Sequence, residues 1–199
     1  MAKEKMTTKL RKLLADNKYL VAPCAYDALS ARAIEVAGFQ VCGTTGYGMH
    51  GVVLAQPDSG LLALNETVDI LSKMADAVNI PIICDAEGGY GNALNVIRTV
   101  KEYEKTGVGG FFIEDQKQPP NCPFISKTEV ISVDEMCGKI QAAVDTRTDP
   151  DLLIIARTDA PDDEAIDRAN AYLDAGADMV KILPKSREAL VSLPEKVHG

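Results

Sequence analysis

The sequence contains no tryptophan, few aromatic residues and no long apolar segment. Aromatic residues make up 5% of the 199 residues, and no apolar run approaches the roughly 20 residues that a helix needs to cross a bilayer. Residues 1–5 begin a polar stretch without the apolar core of a signal peptide. We therefore expect a cytoplasmic protein that makes no membrane contact.

The chain also lacks an excess of positive charge, and its cysteines do not show the spacing of a disulfide framework or a zinc site. Its formal net charge of -8 argues against nonspecific nucleic-acid binding. The five cysteines are an odd number without a C-x-x-C pair, which is typical of reduced thiols and not of a disulfide framework or a zinc site. An acidic protein that binds anionic substrates needs local positive charge, either from a metal ion or from a few Arg and Lys side chains.

Short apolar segments alternate with longer segments of helical periodicity. After an amphipathic lead-in helix at about residues 7–17, strands are predicted at 19–25, 39–43, 80–84, 110–113, 152–156 and 179–183. Helices are predicted at 30–36, 66–78, 93–105, 133–143, 163–175 and 187–197. The strands are rich in Val, Ile and Phe with little polar alternation, which is typical of strands buried on both faces. The alternation predicts a parallel sheet built from right-handed βαβ units.

Six predicted strands fit two α/β architectures. A closed barrel of eight strands typically needs about 250 residues, so the length of this chain favours a doubly wound open sheet. The polar residues at the strand ends favour the barrel. We predict a single parallel (β/α)₈ TIM-type barrel domain over residues 1–199 that lacks its last units.

Carboxylates follow successive predicted strands. Asp85 and Glu87 follow the third strand, Glu114 follows the fourth, and Asp58 lies in the long loop after the second. Because ligands bind beyond the carboxyl ends of parallel strands, we expect these side chains to share one site. Clustered carboxylates repel one another unless a cation neutralises them, and oxygen-only ligands favour Mg²⁺, with Mn²⁺ as a second possibility. The alternative for each carboxylate is a surface ion pair.

A glycine-rich segment at residues 46–51 reads G-x-G-x-x-G after a predicted strand. This pattern raises dinucleotide binding as an alternative function. However, Pro57 and Gly60 interrupt the region where a phosphate-binding helix should continue. We therefore interpret the segment as a turn whose backbone N–H groups face a substrate carboxylate or a developing oxyanion. His50, within the turn, is interpreted as a loop or core residue without a ligand.

Two further side chains could take part in chemistry. Arg157 leaves a buried strand, where its guanidinium could bind a carboxylate in a bidentate fork or form a structural ion pair with a neighbouring strand-end acid. Cys122 lies in a proline-rich loop after the fourth strand, where a thiol can act as a general acid if the loop closes. The alternative for Cys122 is an inert thiol.

Several segments together form a recognisable set. They are YDALSA at 26–31, TGYG at 45–48, D-x-E-x-GYG at 85–91, IEDQ at 113–116, ARTDA at 156–160 and AGAD at 175–178. The set resembles the isocitrate lyase/phosphoenolpyruvate mutase superfamily over about residues 19–183. The resemblance implies a barrel enzyme that binds Mg²⁺ and stabilises an enolate of pyruvate or a related 2-oxo acid. It also implies a homo-oligomer, either a dimer or a tetramer, when full length.

The resemblance assigns roles by position. For the metal, it implies that Asp85 is the direct ligand and that the acids Asp58, Glu87 and Glu114 hold metal-bound water.

For the substrate, the resemblance implies that Thr45, Gly46 and Tyr47 hold the carboxylate. It implies that Arg157 binds the substrate and that Cys122 is the general acid of a carbon–carbon lyase. We therefore predict an Mg²⁺-dependent lyase that cleaves a 2-hydroxy di- or tricarboxylate to pyruvate or glyoxylate and a second acid. The alternatives are an oxaloacetate decarboxylase or hydrolase, a phosphonopyruvate-type enzyme, and a non-catalytic barrel that binds 2-oxo acids.

The sequence departs from the lyase pattern at several positions. The loop at 120–124 lacks the basic residues and the histidine of the lyase loop, and Glu87 stands where an aspartate is usual. Residues 180–185 lack the Phe-Pro-Glu ending common in lyases, and Gly43 stands where related lyases often carry a tyrosine. These departures leave the general base unassigned and the substrate open.

Overall fold

Six parallel strands form one sheet, in which each strand pairs with the next along the chain. The computed structural model describes residues 4–122, 128–184 and 186–198. The strands are β1 (Cys24–Ala25), β2 (Cys42–Thr44), β3 (Ile82–Asp85), β4 (Gly110–Glu114), β5 (Leu153–Thr158) and β6 (Met179–Ile182). A doubly wound sheet reverses its strand order at a switch point. The uninterrupted order here lacks that reversal, and it confirms the predicted parallel α/β fold of the barrel type.

Eight helices accompany the sheet within the described ranges. They are α1 (Met6–Asp16), α2 (Ala28–Val36), α3 (Gly46–Leu54), α4 (Leu64–Ala77), α5 (Ala93–Thr106), α6 (Val133–Thr146), α7 (Asp162–Asp174) and α8 (Arg187–Lys196). Among the described residues, no helix is both long enough and apolar enough to span a membrane.

The two faces of the sheet are buried in different ways. Successive side chains of a strand point to opposite faces, so Phe111 and Ile113 of β4 pack outward in the main core, against the surrounding helices. Phe112 of β4 and Ile155 of β5 face inward and form a second cluster with Leu10 of α1. Burial on both faces explains why the strands lack polar alternation.

The lead-in helix α1 covers the amino-terminal end of the sheet. Leu10 is fully buried, and Lys9 Nζ donates to the carbonyl oxygen of Asn79, before β3, at 2.7 Å. Arg11 forms an ion pair of 2.7 Å with Asp178, just before β6. With this end covered, the opposite end, where the strands finish, is left for a binding site.

Two predictions for the first part of the chain were wrong. The first strand was predicted at 19–25, but β1 contains only two residues, and Tyr19 and Val21 are 78% and 59% exposed. An apolar segment is therefore not sufficient to form a strand where its backbone pairs with no other strand. The predicted turn at 46–51 is instead the start of α3, because the Thr45 side chain accepts the Gly48 N–H and caps the helix.

Candidate active site at the carboxyl ends of the strands

A cavity of about 410 Å³ lies at the carboxyl ends of the strands. Its lining includes every residue predicted for the site: Thr45, Gly46, Tyr47, Asp58, Asp85, Glu87, Glu114, Cys122 and Arg157. The structure thus brings together residues that lie up to 112 positions apart (157 − 45) in the sequence. Seven residues without a predicted role also line the cavity: Cys24, Thr44, Phe112, Gln116, Pro120, Asn121 and Lys181.

Carboxylate oxygens converge beside Gly46, the first residue of α3. From the position that a Cβ atom would take at Gly46, Glu87 Oε1 lies at 2.7 Å, Asp85 Oδ2 at 3.2 Å and Asp58 Oδ2 at 3.6 Å. Any side chain at this position would enter the space between the acids. A larger residue at position 46 would therefore displace these carboxylates from their present positions.

Three acids of the site, Glu87, Glu114 and Asp58, have raised pKa values. Burial, followed by the charges of Asp85 and Glu114, raises the pKa of Glu87 to about 9. Burial also raises the pKa of Glu114 to about 8, although Arg157 opposes the shift. The pKa of Asp58 is raised, again chiefly by burial. A bound cation would reverse these shifts, since it stabilises the ionised carboxylates.

The backbone around β3 fixes the position of Asp85. Its own N–H donates to Thr44 Oγ1 at 2.8 Å, and its Oδ1 accepts the Glu87 N–H at 2.9 Å. The hydroxyl of Tyr103 donates to the Asp85 carbonyl oxygen at 2.8 Å. Asp85 Oδ2 has no such backbone partner among these bonds and faces the cluster beside Gly46.

His50 lies next to the cluster, but its ring nitrogens are already occupied. Nε2 accepts the backbone N–H groups of residues 61–62 at 3.1 and 3.2 Å. The proton is therefore on Nδ1, which lies 2.8 Å from the Gly46 carbonyl oxygen and 3.3 Å from Asp58 Oδ1. Although His50, Asp58 and Glu87 have ligand atoms within 4.8 Å of one another, this tautomer excludes the histidine as a metal ligand.

The remaining donors fit a hard divalent cation. They are all carboxylate oxygens, which is the ligand type that Mg²⁺ and Mn²⁺ prefer. Asp58 Oδ1 is buried and has no hydrogen-bond partner among the described residues, and a buried unpaired carboxylate oxygen is costly unless a cation compensates it. The described cluster can therefore hold a divalent metal ion.

The start of α3 supplies a second type of binding group. Thr45 caps this helix, and Gly46 and Tyr47 are its first two residues. The first N–H groups of a helix lack intrahelical partners and favour anions, both by hydrogen bonding and through the helix dipole. This geometry supports the predicted binding of a carboxylate, although the segment is the start of a helix and not a turn.

Arg157 forms ion pairs with two acids at the ends of strands, as its predicted structural role implies. Its Nη1 lies 2.9 Å from Glu114 Oε2, and its Nη2 lies 2.8 Å from Asp159 Oδ2. Its Nε also donates to Asp159 Oδ1 at 3.2 Å. Of the two predicted roles, the ion pair is thus present in the structure, and it holds the guanidinium at the cavity wall. Asp159, which the sequence analysis gave no role, is its bidentate partner.

The loop that carries Cys122 is tied to the same network. The Asn121 N–H donates to Gln116 Oε1 at 2.8 Å, and Gln116 Nε2 donates to Asp159 Oδ2 at 2.7 Å. These bonds place the half-buried Cys122 at the cavity wall. Residues 123 and 124, the end of the segment that was compared with the lyase loop, lie outside the described residues.

Lys181 was given no predicted role, and His50 was predicted to be a loop or core residue. Lys181 is the one charged residue of β6, and a single charge within an apolar strand was the signal that could have identified it. Of the two alternatives for His50 the structure has the second, since this residue is fully buried in α3. Its contact with Asp58 depends on the helix and could not be seen without it.

The raised pKa of Glu87 predicts how pH affects the metal-free protein. The pKa of Glu87 is about 9 in the folded state against an ordinary value of 4.5, so the folded state binds more protons than the unfolded state between these values. The free energy of unfolding should therefore fall as pH rises from about 5 to about 9. Bound Mg²⁺ should offset this loss, because it takes the place of the proton.

Thermal unfolding in EDTA and in excess Mg²⁺, measured across this pH range, checks the prediction. We expect the increase in Tm caused by Mg²⁺ to grow with pH and the variant Glu87→Gln to show a weaker pH dependence. A metal-free Tm that rises with pH in the wild type would contradict the assignment.

The fold and the site define a β/α-barrel-type protein with an acidic, oxygen-only site at its strand ends. The sequence matches the family model for phosphoenolpyruvate phosphomutase over residues 10–196, and the chain belongs to this family. The predicted membership of the isocitrate lyase/phosphoenolpyruvate mutase superfamily is thereby confirmed.

Proteins with several different activities are similar to this chain in sequence or in fold. The chain is 45% identical to 2,3-dimethylmalate lyase of Eubacterium barkeri, across 96% of this chain and 68% of that protein. It is 42% identical to oxaloacetate decarboxylase of Pseudomonas fluorescens, across 84% of this chain and 59% of that enzyme. The crystal structure of phosphonopyruvate hydrolase with oxalate and Mg²⁺ has a TM-score of 0.88 and 30% identity, over 98% of this chain and 70% of that one. The chain thus spans about 60% to 70% of the length of these relatives.

Proposed function

We propose that this chain forms the catalytic barrel of an Mg²⁺-dependent carbon–carbon lyase. The reaction is cleavage of a 2-hydroxy di- or tricarboxylate to pyruvate or glyoxylate and a second carboxylic acid, through an enolate. One observation carries the proposal: three carboxylate oxygens converge beside Gly46, at the start of a helix whose N–H groups favour anions. A divalent cation and the carboxylate of a 2-oxo acid product are the pair that such a site accommodates.

The cluster would hold Mg²⁺ through Asp85, with Asp58, Glu87 and Glu114 holding its water ligands. When bound, the ion supplies positive charge that stabilises the oxygens of a 2-oxo acid or its enolate. Mn²⁺ has the same ligand preference and is the alternative metal. We further propose, from the family resemblance, that the complete protein is a cytoplasmic homo-oligomer.

In the proposed reaction, the side chains of this protein orient the substrate and move protons. The N–H groups at Gly46 and Tyr47 and the guanidinium of Arg157 hold the carboxylate of the reacting end. A base removes the hydroxyl proton, the C–C bond breaks, and its electron pair passes to the departing carbanion. The thiol of Cys122 then gives its proton to that carbanion. Gly43 leaves the base unassigned, since related lyases often carry a tyrosine there.

The similarity to the oxaloacetate decarboxylase favours a second candidate. A decarboxylase needs the same metal site, there to stabilise the enolate of the 2-oxo acid product, but it does not need a thiol acid matched to a large leaving group. The loop at 120–124 lacks the basic residues and histidine of the lyase pattern, and this departure is compatible with the alternative. Phosphonopyruvate chemistry and simple 2-oxo acid binding use the same cavity.

Product release across a substrate panel tests the proposal. Pyruvate and glyoxylate are measured with and without Mg²⁺, using 2-methylisocitrate, 2,3-dimethylmalate, citramalate, oxaloacetate and phosphonopyruvate. We expect Mg²⁺-dependent release from at least one of the first three substrates. Release from oxaloacetate or phosphonopyruvate alone would instead establish the second candidate. A folded protein that releases no product but binds oxalate with Mg²⁺ would be a binding barrel.

A further inference from the structure

Lys181 lies in the same row of the sheet as two residues of the site. In the register of the parallel strands, Glu114 of β4 is opposite Arg157 of β5, and Arg157 is opposite Lys181 of β6. Residues that are paired across a parallel sheet point to the same face. Lys181 therefore lies on the inner face at the level of the site, and it lines the same cavity.

The two cations of this row differ in how their charges are compensated. Arg157 is paired with Glu114 at 2.9 Å and with Asp159 at 2.8 Å. Among the side chains that the structure describes, those of residues 4–122, 128–161, 164–184 and 186–198, no carboxylate lies within 4.0 Å of Lys181 Nζ. This half-buried ammonium instead lies 3.7 Å from the centroid of the Phe112 ring. A cation–π contact compensates a desolvated charge only in part, so Lys181 can still gain from an anion.

The described side chains on the far side of Lys181 add no negative charge. A second cavity, whose walls include residues of β1, β2 and β6, shares Cys24, Thr44, Phe112 and Lys181 with the first. Within the described residues, the only charged side chains that line it are lysines, Lys181 among them. The charge of these walls attracts an anion and repels a cation.

Gly43 on β2 also lines the second cavity and leaves space there because it has no side chain. A Cβ atom at Gly43 would lie 3.1 Å from the sulfur of Cys24 on the neighbouring strand β1. A side chain at position 43 would therefore occupy space beside Cys24 on the inner face of the sheet.

We propose that Lys181 binds a second carboxylate of the substrate, on the side of Arg157 that is opposite to Glu114 in the row of paired residues. This inference rests on the proposed function, because it takes the acidic cluster as the site of the 2-oxo or 2-hydroxy acid group. It makes Lys181 a specificity-determining residue that selects acids with a distal carboxylate over acids of equal length with an apolar end.

Matched pairs of 2-oxo acids test this role. Calorimetry in Mg²⁺ compares 2-oxoglutarate with 2-oxovalerate, and 2-oxoadipate with 2-oxohexanoate, because each pair differs only in the distal carboxylate. In the wild type, the dicarboxylate of at least one pair should bind about tenfold more tightly or better, as expected for a charged hydrogen bond. Lys181→Met should remove this preference, and Lys181→Arg should retain most of it.

Two controls separate this inference from the proposed function. Lys101→Met removes an exposed lysine of α5 and should leave the preference unchanged, which shows that overall charge is not the cause. Oxalate has no distal arm, so its Mg²⁺-dependent binding reports on the metal site and on the folding of each variant. A preference that persists in a Lys181→Met protein able to bind oxalate, or no preference in the wild type, would overturn the role of Lys181 alone. Failure of the wild type to bind oxalate would overturn the proposed function as well.

Discussion

Replacement of Asp85 by asparagine is expected to abolish Mg²⁺-dependent turnover and, at the same time, to stabilise the metal-free protein. The loss of turnover should be roughly a thousandfold or more, since the charge stabilisation that the ion supplies is worth several kcal/mol. The gain in stability should be about 1 kcal/mol when it is measured above pH 9, where Glu87 and Glu114 are ionised, because the substitution removes one of the like charges in a buried cluster. Among the charged neighbours of Glu87, Asp85 contributes most to the raised pKa of that carboxyl group.

Product release in Mg²⁺ measures the turnover, and thermal unfolding in EDTA measures the stability of the same protein sample without metal. Asp76→Asn is the matched control, because Asp76 is exposed on α4, and it should change neither quantity. Asp85→Asn protein that binds Mg²⁺ with unchanged affinity would show that the metal lies elsewhere. Loss of turnover together with loss of stability would indicate a structural role for Asp85.

The substitution Cys122→Ser is expected to reduce turnover by about 10²- to 10⁴-fold, the range in which a general acid contributes. Serine preserves the shape of the side chain but is a much weaker acid, so the carbanion would lose its proton donor. Mg²⁺ affinity should remain unchanged, since Cys122 lies in the loop and not in the carboxylate cluster. Steady-state rates and calorimetry of Mg²⁺ binding measure the two quantities.

The matched control is Cys137→Ser, which changes a half-buried thiol on α6 whose sulfur lies 3.6 Å from the Ala171 carbonyl oxygen. This variant should retain its turnover. Near-normal rates for Cys122→Ser would remove Cys122 from the mechanism and would favour the decarboxylase candidate, in which no thiol acid is needed.

The sequence was sufficient to predict the sheet and the membership of the acidic cluster. Parallel strands end at one edge, so once Asp85 and Glu114 were placed at strand ends, their proximity followed from the fold. The departure of Asp58 from this rule is instructive, because it lies on a loop after α3. It was predicted only as a further candidate in the loop after the second strand, and the family resemblance then implied its role in holding metal-bound water.

The first turn of α3 could not be predicted from composition alone. Glycine disfavours a helix interior, and the segment at 46–51 contains three glycines. The helix forms because Thr45 caps it and because His50 is fully buried and bonded to the backbone of residues 61–62. Such long-range contacts override local propensity, and they are not visible in a single sequence.

The partners of the two cations were also beyond sequence reasoning. Both an ion pair and a substrate contact were open for Arg157, and only the geometry showed that Glu114 and Asp159 occupy it. For Lys181, the sequence showed a charge in an apolar strand, but the register with Arg157 and the contact with Phe112 came from the structure.

A calorimetric titration of oxalate into the wild-type chain, with Mg²⁺ and with EDTA, tests the central claim most directly. Oxalate resembles the enolate of a 2-oxo acid in charge and shape, and it needs neither the loop nor the distal end of the cavity. Oxalate should bind in Mg²⁺, and the binding should be lost in EDTA and in Asp85→Asn. Binding that is equal with and without Mg²⁺, or absent in both, would contradict a metal-dependent 2-oxo acid site at the ends of the strands.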